Sequence, residues 1–231
     1  MKESSLPYFP DPNKANEDGL LAVGGDLSPE RLYAAYLKGI FPWYGPDDPI
    51  LWFSPDPRML LYPENLKVSK SMRRFLKKEP FLYSCNKVFP DVIKACSEVP
   101  RPGQDGTWIG EDMIEAYIQL HELGIAHSVE VWSKENELVG GLYGVSIGTA
   151  FFGESMFSKV SNASKAALIM LTRELEQKHF DFVDCQVYTN HLESLGAKLY
   201  SREFFLKQLK QSVSQKGLSK EEWKNLFSKI N

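Results

Sequence analysis

The chain has 231 residues, of which 43% are hydrophobic and 25% charged, and its formal net charge is -3 at pH 7. These values are typical of a globular protein of one large domain or two unequal ones, and they exclude a globally basic nucleic-acid-binding protein, so such a surface must be a local patch. Three cysteines lie outside any Cys/His spacing typical of zinc, and residues 1–19 carry no apolar run. We therefore expect reduced thiols, no metal, no signal peptide, no membrane span and a cytoplasmic location.

The N-terminal part of the chain predicts a small domain. Apolar side chains at helical spacing predict a helix at 30–37, which ends at Gly39. The segment after this helix carries Trp43 and Trp52 among prolines, and each tryptophan is either a core residue or part of a surface that stacks on a ring. We place a domain boundary at Tyr62-Pro63, which gives domains at 1–63 and 64–231.

The most basic stretch lies at 69–78, where the sequence is SKSMRRFLKK. On a helix its cations lie three and four residues apart, so they share one side, which we call the basic face. The basic face consists of Lys70, Arg73, Arg74, Lys77 and Lys78. Five cations without an acid among them form either a solvated helix side or a contact for a phosphate backbone.

The middle of the chain predicts two helices and a strand. Helical spacing indicates helices at 88–96 and 111–123, and a loop with proline and glycine between them leads to Trp108. Alternating apolar residues predict a strand at 126–132. His127 in this strand is either a structural histidine or a catalytic one.

Residues 138–158 are almost free of charge and predict a hairpin, with strands at 138–147 and 150–157 around Gly148-Thr149. Glu154 is the only acid in this stretch. Regular alternation would place Phe152, Glu154 and Met156 on one face of the second strand. A carboxylate among aromatic residues either reaches solvent at the strand end or supplies the charge of an apolar pocket that takes a cationic ligand.

Beyond the hairpin we expect a helix at 165–179, a strand at 180–186, a short helix and turn at 191–199, a helix at 202–210 and an amphipathic tail helix after residue 219. Alternation places Asp184 and Gln186 on one side of their strand and Cys185 on the other. This element order is that of an N-acetyltransferase-like (GNAT) α/β domain, a mixed sheet with helices on both faces. The turn at 158–164 lacks glycine, and such enzymes bind coenzyme A with a glycine-spaced loop there, so we expect no coenzyme A.

Short motifs along the chain, taken in order, resemble the leucyl/phenylalanyl-tRNA–protein transferase family. They include GGDLS at 24–28, GIFPW at 39–43, WFSP at 52–55, GTWI at 106–109, HSVE at 127–130, NASK at 162–165 and DCQ at 184–186. The resemblance extends from about Tyr8 to Phe205 and leaves out the tail. It implies an enzyme without a cofactor that joins leucine or phenylalanine from aminoacyl-tRNA to the α-amino group of proteins with N-terminal arginine or lysine. In bacteria that product marks a protein for degradation.

The resemblance also implies where the aminoacyl-tRNA binds. Trp43 and Trp108 match the tryptophans that hold the terminal adenosine, where an aromatic face stacks on the base. Phe152, Met156 and Phe157 lie where the family lines the pocket for the amino-acid side chain, and an unbranched methionine suits both Leu and Phe. The basic face is the candidate contact for the tRNA stem, through the backbone rather than the base sequence.

Three polar residues are the candidates for the acceptor and the chemistry. Glu154 and Asp184 are the carboxylates that would favour the cationic acceptor. Gln186 matches the family residue assigned to the chemistry, with Asp184 as its polarising neighbour. Because a neutral amide is a very poor base, we expect Gln186 to orient the attacking amine through its carbonyl oxygen, while the proton leaves through water or the tRNA ribose hydroxyl.

Three other functions stay open on the sequence alone. The chain could be an acetyltransferase that uses acetyl-CoA, an aminoacyltransferase that acts on peptidoglycan, or a tRNA-binding protein without catalysis. For the transferase we expect a monomer whose partners are aminoacyl-tRNA and protein or peptide substrates, with no membrane association.

Overall fold

The computed structural model describes residues 6–45, 47–99 and 109–228. Its N-terminal part is a three-stranded antiparallel sheet with the order β1-β3-β2. These strands are β1 (Leu20–Val23), β2 (Phe41–Pro42) and β3 (Leu51–Phe53). Helix α1 (Pro29–Leu37) joins β1 to β2, and the proline at its first position suits a helix start because its fixed φ is already helical. The helix predicted at 30–37 is confirmed.

The larger part is a seven-stranded mixed sheet with the order β10-β4-β9-β8-β7-β6-β5. Its strands are β4 (Arg58–Leu61), β5 (Leu82–Cys85), β6 (Ala126–Trp132), β7 (Leu138–Ile147), β8 (Ala150–Ser158), β9 (Phe182–Gln186) and β10 (Lys198–Tyr200). The predicted hairpin and the predicted strands on either side of it are confirmed. The sequence did not predict β4, β5 and β10, because strands of three or four residues are too short to show alternation.

Helices cover both faces of the large sheet. One buried apolar cluster contains residues of α1, α3 (Phe89–Ser97), α4 (Glu111–Glu122) and α7 (Arg202–Ser212), and the other contains residues of α2 (Lys70–Leu76), α5 (Ala163–Gln177) and α8 (Lys220–Lys224). The expected fold class is therefore confirmed as α/β, with a small N-terminal domain before a mixed-sheet domain. None of the helices in the described ranges is long and apolar enough to cross a membrane.

Strand β4 joins the two parts of the chain. It lies inside the predicted N-terminal domain 1–63, yet it pairs with β9 and β10 in the large sheet. The division at residue 63 stays a prediction, but the large sheet takes one strand from the N-terminal side of it. The tail also packs back as expected, since Trp223, Leu226 and Phe227 are buried.

The sheet opens between β8 and β9. These two strands pair in parallel over 150–152 and 182–184, whereas the other strand pairs that the structure describes are antiparallel. Both strands continue past the paired residues without pairing to each other, so they diverge. The space between them is the position of the candidate site.

A bulge on β8 lies at the start of this opening. Tyr143 of β7 pairs with Ser155, and Gly144 pairs with Gly153, so Glu154 has no partner residue on β7. The irregularity needs a glycine opposite it, because a Cβ atom on Gly144 would lie 2.2 Å from a backbone oxygen of β8. An extra residue of this kind reverses the side-chain alternation beyond it.

The bulge corrects the predicted faces of β8. Phe152 and Phe157 lie in the cluster that contains α1 and α4, whereas Phe151 and Met156 lie on the α5 side. The expectation that Phe152, Glu154 and Met156 share one face is therefore wrong, because the extra residue shifts the alternation between Phe152 and Met156.

Candidate active site

A cavity of about 390 Å³ fills the space where β8 and β9 diverge. Its volume lies within the range of small-molecule sites, roughly 300–1,000 Å³. Its walls come from the residues after α1, from the hairpin, from α5 and from the end of β9 with the segment that follows. The lining residues are Phe41, Pro42, Trp43, Leu142, Tyr143, Phe151, Gly153, Glu154, Ser155, Met156, Leu168, Val183, Cys185, Gln186, Val187, Thr189, His191 and Leu192.

The apolar part of the cavity differs from the sequence expectation in its aromatic residues. Met156 lines the cavity as expected, but Phe152 and Phe157 do not. The bulge puts Phe152 on the face opposite Met156, and ordinary alternation puts Phe157, the residue after Met156, on that face as well. Phe152 instead packs against Tyr36 of α1, with ring centroids 5.1 Å apart. Phe151, which the sequence analysis missed, contributes the aromatic ring of β8 to the cavity.

Trp43 stands at the edge of the cavity and is 36% exposed. Its ring meets Phe53 edge to face at 5.6 Å, so part of the indole surface stays open to a ligand. Trp52, by contrast, is 1% exposed and its Nε1 donates to the carbonyl of Gly24, so it is a core residue. Trp108, the second expected adenosine contact, lies outside the described residues.

Glu154 supplies a carboxylate to the cavity and is itself buried. Its Oε1 accepts a hydrogen bond of 2.7 Å from Nε2 of Gln186, and its Oε2 accepts one of 3.1 Å from the hydroxyl of Tyr117. Tyr117 in turn shares a hydrogen bond with Tyr36. Burial raises the pKa of Glu154 to about 7, although hydrogen bonds from Tyr36 and Tyr117 act in the opposite direction.

Gln186 reaches the cavity because its backbone leaves the regular strand conformation. Its φ is 62°, in the left-handed region, and its backbone N–H donates to Oδ1 of Asp184 at 2.9 Å. Cys185 also lines the cavity, so the expectation that it faces away from the site while Asp184 and Gln186 share a side is wrong. The left-handed residue breaks the alternation on which that expectation rested.

Asp184 does not line the cavity and is fully buried. Its two oxygens accept hydrogen bonds of 2.8 and 2.6 Å from Nε and Nη2 of Arg58, which is also fully buried. Arg58 is not among the residues predicted from the sequence. The sequence nevertheless contains a sign that Arg58 is paired, because it begins the apolar run RMLLY. If that run is buried, the arginine needs an acidic partner. The partner itself lies 126 residues away and could not be identified from local sequence.

The basic face is exposed along its whole length. Lys70, Arg73 and Arg74 lie on α2, and Lys77 and Lys78 directly follow its last residue. Ser69 caps this helix by accepting from the N–H of Met72, and the buried Met72 side chain anchors the helix to the sheet. Within the described part of the chain, no side chain of the basic face forms a salt bridge, and none lines the cavity. The face is therefore a separate surface from the cavity.

His127 is a structural residue rather than part of the site. Its ring stacks on Trp223 of the tail with centroids 4.2 Å apart, and its Nδ1 hydrogen-bonds with Nδ2 of Asn86 at 2.9 Å. Burial lowers the pKa of His127 to about 3, so the imidazole is neutral at ordinary pH. It does not line the cavity.

Comparisons with known proteins give the family. The model for the leucyl/phenylalanyl-tRNA protein transferase matches residues 60–210, and the model for its N-terminal domain matches residues 25–56. A leucyl/phenylalanyl-tRNA–protein transferase of Syntrophus aciditrophicus is 57% identical over 205 residues, which cover 89% of this chain and 85% of that relative. One from Flavobacterium johnsoniae is 55% identical over 203 residues, 88% of this chain and 95% of that relative. The chain therefore belongs to the leucyl/phenylalanyl-tRNA–protein transferase family.

Proposed function

We propose that this chain transfers leucine or phenylalanine from the 3′ end of aminoacyl-tRNA to the α-amino group of proteins that begin with arginine or lysine. The amine nitrogen attacks the ester carbonyl, a C–N bond forms, and the C–O bond to the tRNA ribose breaks. In bacteria the product would be a substrate for degradation. We place the reaction in the cytoplasm and assign it to the monomer.

The observation that carries this proposal is an apolar cavity with a carboxylate and an amide at one wall. Its apolar side, with Phe151, Met156 and Leu168, suits an uncharged side chain such as leucine or phenylalanine. A charged amino acid would lose its hydration there without a partner, so the pocket would reject it. Trp43, open on part of its ring, is the candidate platform for the terminal adenine.

We assign the acceptor end to Glu154 and Gln186. Glu154 lines the cavity, so its carboxylate can attract a cationic acceptor, whereas Arg58 already occupies the oxygens of Asp184. Nε2 of Gln186 donates to Glu154, which leaves the amide oxygen to accept an N–H of the attacking amine. Gln186 would then orient the amine, and its proton would leave to water or to the departing ribose oxygen.

The rate would come from positioning, because an aminoacyl ester is already activated. We propose that the basic face, Lys70, Arg73, Arg74, Lys77 and Lys78, contacts the tRNA stem through its phosphates. Met156, Phe151 and Trp43 would bind the donor. Phe152 and Phe157 would support the cavity wall from the opposite face of β8 rather than touch the donor.

A transfer assay with defined donor and acceptor tests the proposal. Labelled leucyl-tRNA is mixed with the protein and with peptides that differ only in an N-terminal Arg, Lys or Ala. We expect label on the Arg and Lys peptides alone, and loss of transfer for Gln186→Ala. Gln208→Ala, outside the cavity, is the matched control. Label on a peptidoglycan peptide instead of the Arg and Lys peptides would overturn the acceptor assignment, and bound tRNA without transfer to any acceptor would overturn the enzymatic one.

A further inference from the structure

We infer that Arg58 is a positioning residue for the transfer reaction, and that Asp184 acts with it as an anchor for the backbone of Gln186 rather than on the substrate. The inference rests on the proposed function, because it assigns Gln186 the task of orienting the amine. It concerns how the chain holds Gln186 in the conformation that reaches the cavity.

The ion pair between Arg58 and Asp184 is complete and closed to solvent. Both side chains are fully buried, and the guanidinium donates through Nε and Nη2 to the two carboxylate oxygens at 2.8 and 2.6 Å. This bidentate geometry suits arginine and not lysine, because only the guanidinium offers two parallel N–H groups. In the described part of the chain, Nη1 of Arg58 has no hydrogen-bond partner. The two hydrogen bonds to Asp184 are therefore what compensates for the burial of the guanidinium charge.

Two aromatic rings hold the guanidinium in place. The guanidinium carbon lies 4.8 Å from the ring centroid of Phe41 and 4.6 Å from that of Phe205. Phe41 also lines the cavity, so one ring contacts both the buried cation and the site. The position of the ion pair is thus tied to a cavity wall as well as to β9.

The carboxylate of Asp184 transmits this position to Gln186. Its Oδ1 accepts one hydrogen bond from Nε of Arg58 and a second, of 2.9 Å, from the backbone N–H of Gln186. Gln186 has a φ of 62°, which a residue with a Cβ atom adopts only when its surroundings hold it there. Strand β4 holds Gln186 in two ways: Arg58 binds Asp184, and the next residue, Met59, pairs with Gln186 in the sheet.

Removing the whole pair tests this assignment better than removing one member. Arg58→Met alone would leave a buried carboxylate without a partner, and such a variant can fail to fold. The double variant Arg58→Met plus Asp184→Leu replaces both charges by apolar groups and is the informative one. We expect it to fold and to lose about 100-fold in kcat, the scale of a misplaced reacting group, with KM for leucyl-tRNA close to that of the parent chain.

Two further variants separate positioning from stability. Arg58→Lys keeps the charge but not the fork, so we expect its kcat to lie between those of the parent and the double variant. Arg31→Met breaks the partly exposed pair of Arg31 with Asp26 and is the control that should leave kcat unchanged. A folded double variant with the kcat of the parent chain would overturn the inference. Residues that act through one contact have non-additive effects, so the loss of kcat in Arg58→Lys plus Asp184→Asn should be smaller than the product of the two single losses. A loss equal to that product would also overturn the inference.

A readout without catalysis separates this inference from the proposed function. Amide hydrogen exchange at Gln186 should rise at least about tenfold in the double variant, while exchange in β6 and β7 stays slow. Unchanged exchange at Gln186 would refute the anchor even if the enzyme is active. Raised exchange in the double variant, together with a parent chain that transfers nothing to Arg or Lys peptides, would support the anchor and refute the acceptor assignment.

Discussion

Replacing Glu154 by glutamine tests the electrostatics of the cavity. The carboxyl lies buried beside Tyr117 and Gln186, with Asp184 and Arg58 as the nearest charges, and burial raises its pKa to about 7. Glutamine keeps the shape and an oxygen that can accept, but it cannot ionise. The Glu154→Gln variant therefore removes the titration together with one of the two acceptor oxygens, and only the loss of the titration changes with pH.

The magnitude follows from the two pKa values. In the unfolded chain the glutamate titrates near 4.5, so between pH 4.5 and about 7 the folded state holds one more proton than the unfolded state. The free energy of unfolding then falls as the pH rises, by about 1.4 kcal/mol per pH unit, or about 3 kcal/mol across that window. Below pH 4.5 this stabilisation is fully present, and above pH 7 it is lost.

Urea unfolding at pH 5, 6, 7 and 8 measures this effect when the parent chain and Glu154→Gln are compared at each pH. The other titrating groups are common to both chains, so their contributions cancel in the difference. We expect the stability of the parent chain relative to the variant to fall by about 2 to 3 kcal/mol between pH 5 and pH 8. A difference that does not change with pH would refute the assignment of a raised pKa to Glu154.

Three more predictions concern the tRNA, the adenine and the tail. Arg73→Glu plus Arg74→Glu should weaken tRNA binding and lower its salt slope by about one per lost phosphate contact, and an unchanged slope would mean a merely solvated face. Trp43→Leu should raise KM for leucyl-tRNA about tenfold or more without loss of stability, because one stacked base is worth about 1–3 kcal/mol and Trp43 is partly exposed. Trp223→Ala should cost about 3 kcal/mol or more in urea unfolding, since this side chain is fully buried against His127, and a smaller loss would mean that the tail is not part of the core.

The sequence predicts the elements with strong local patterns. The hairpin of β7 and β8 is visible because two apolar runs meet at a glycine turn, and α4 is visible because its apolar residues repeat at helical spacing. Strand β10 is not visible, because its three residues include an exposed lysine and it exists through pairing with β4. Such a strand depends on tertiary contacts rather than on its own residues.

In the candidate site, too, the residues marked by local sequence could be predicted, and those that depend on distant contacts could not. Glu154 and Gln186 stand out in the sequence as polar residues in apolar strands. Arg58 could not be assigned a role, because its partner lies in another strand far along the chain. The left-handed φ of Gln186 leaves no trace in the sequence, since glutamine has no preference for that region. The contacts that hold it there, among them its hydrogen bond to Asp184, exist only in the folded chain.

The two departures from regular strand geometry meet at one hydrogen bond. The bulge on β8 leaves Glu154 without a partner on β7, and the left-handed backbone of Gln186 turns its side chain into the cavity from β9. The two side chains form a hydrogen bond of 2.7 Å across the opening. If both strands were regular, alternation would turn their side chains elsewhere and the parallel pairing could continue through the space that the cavity occupies. The polar wall of the site therefore exists because the sheet is locally broken, and the residues that regular patterns fail to place are those on which the proposed chemistry depends.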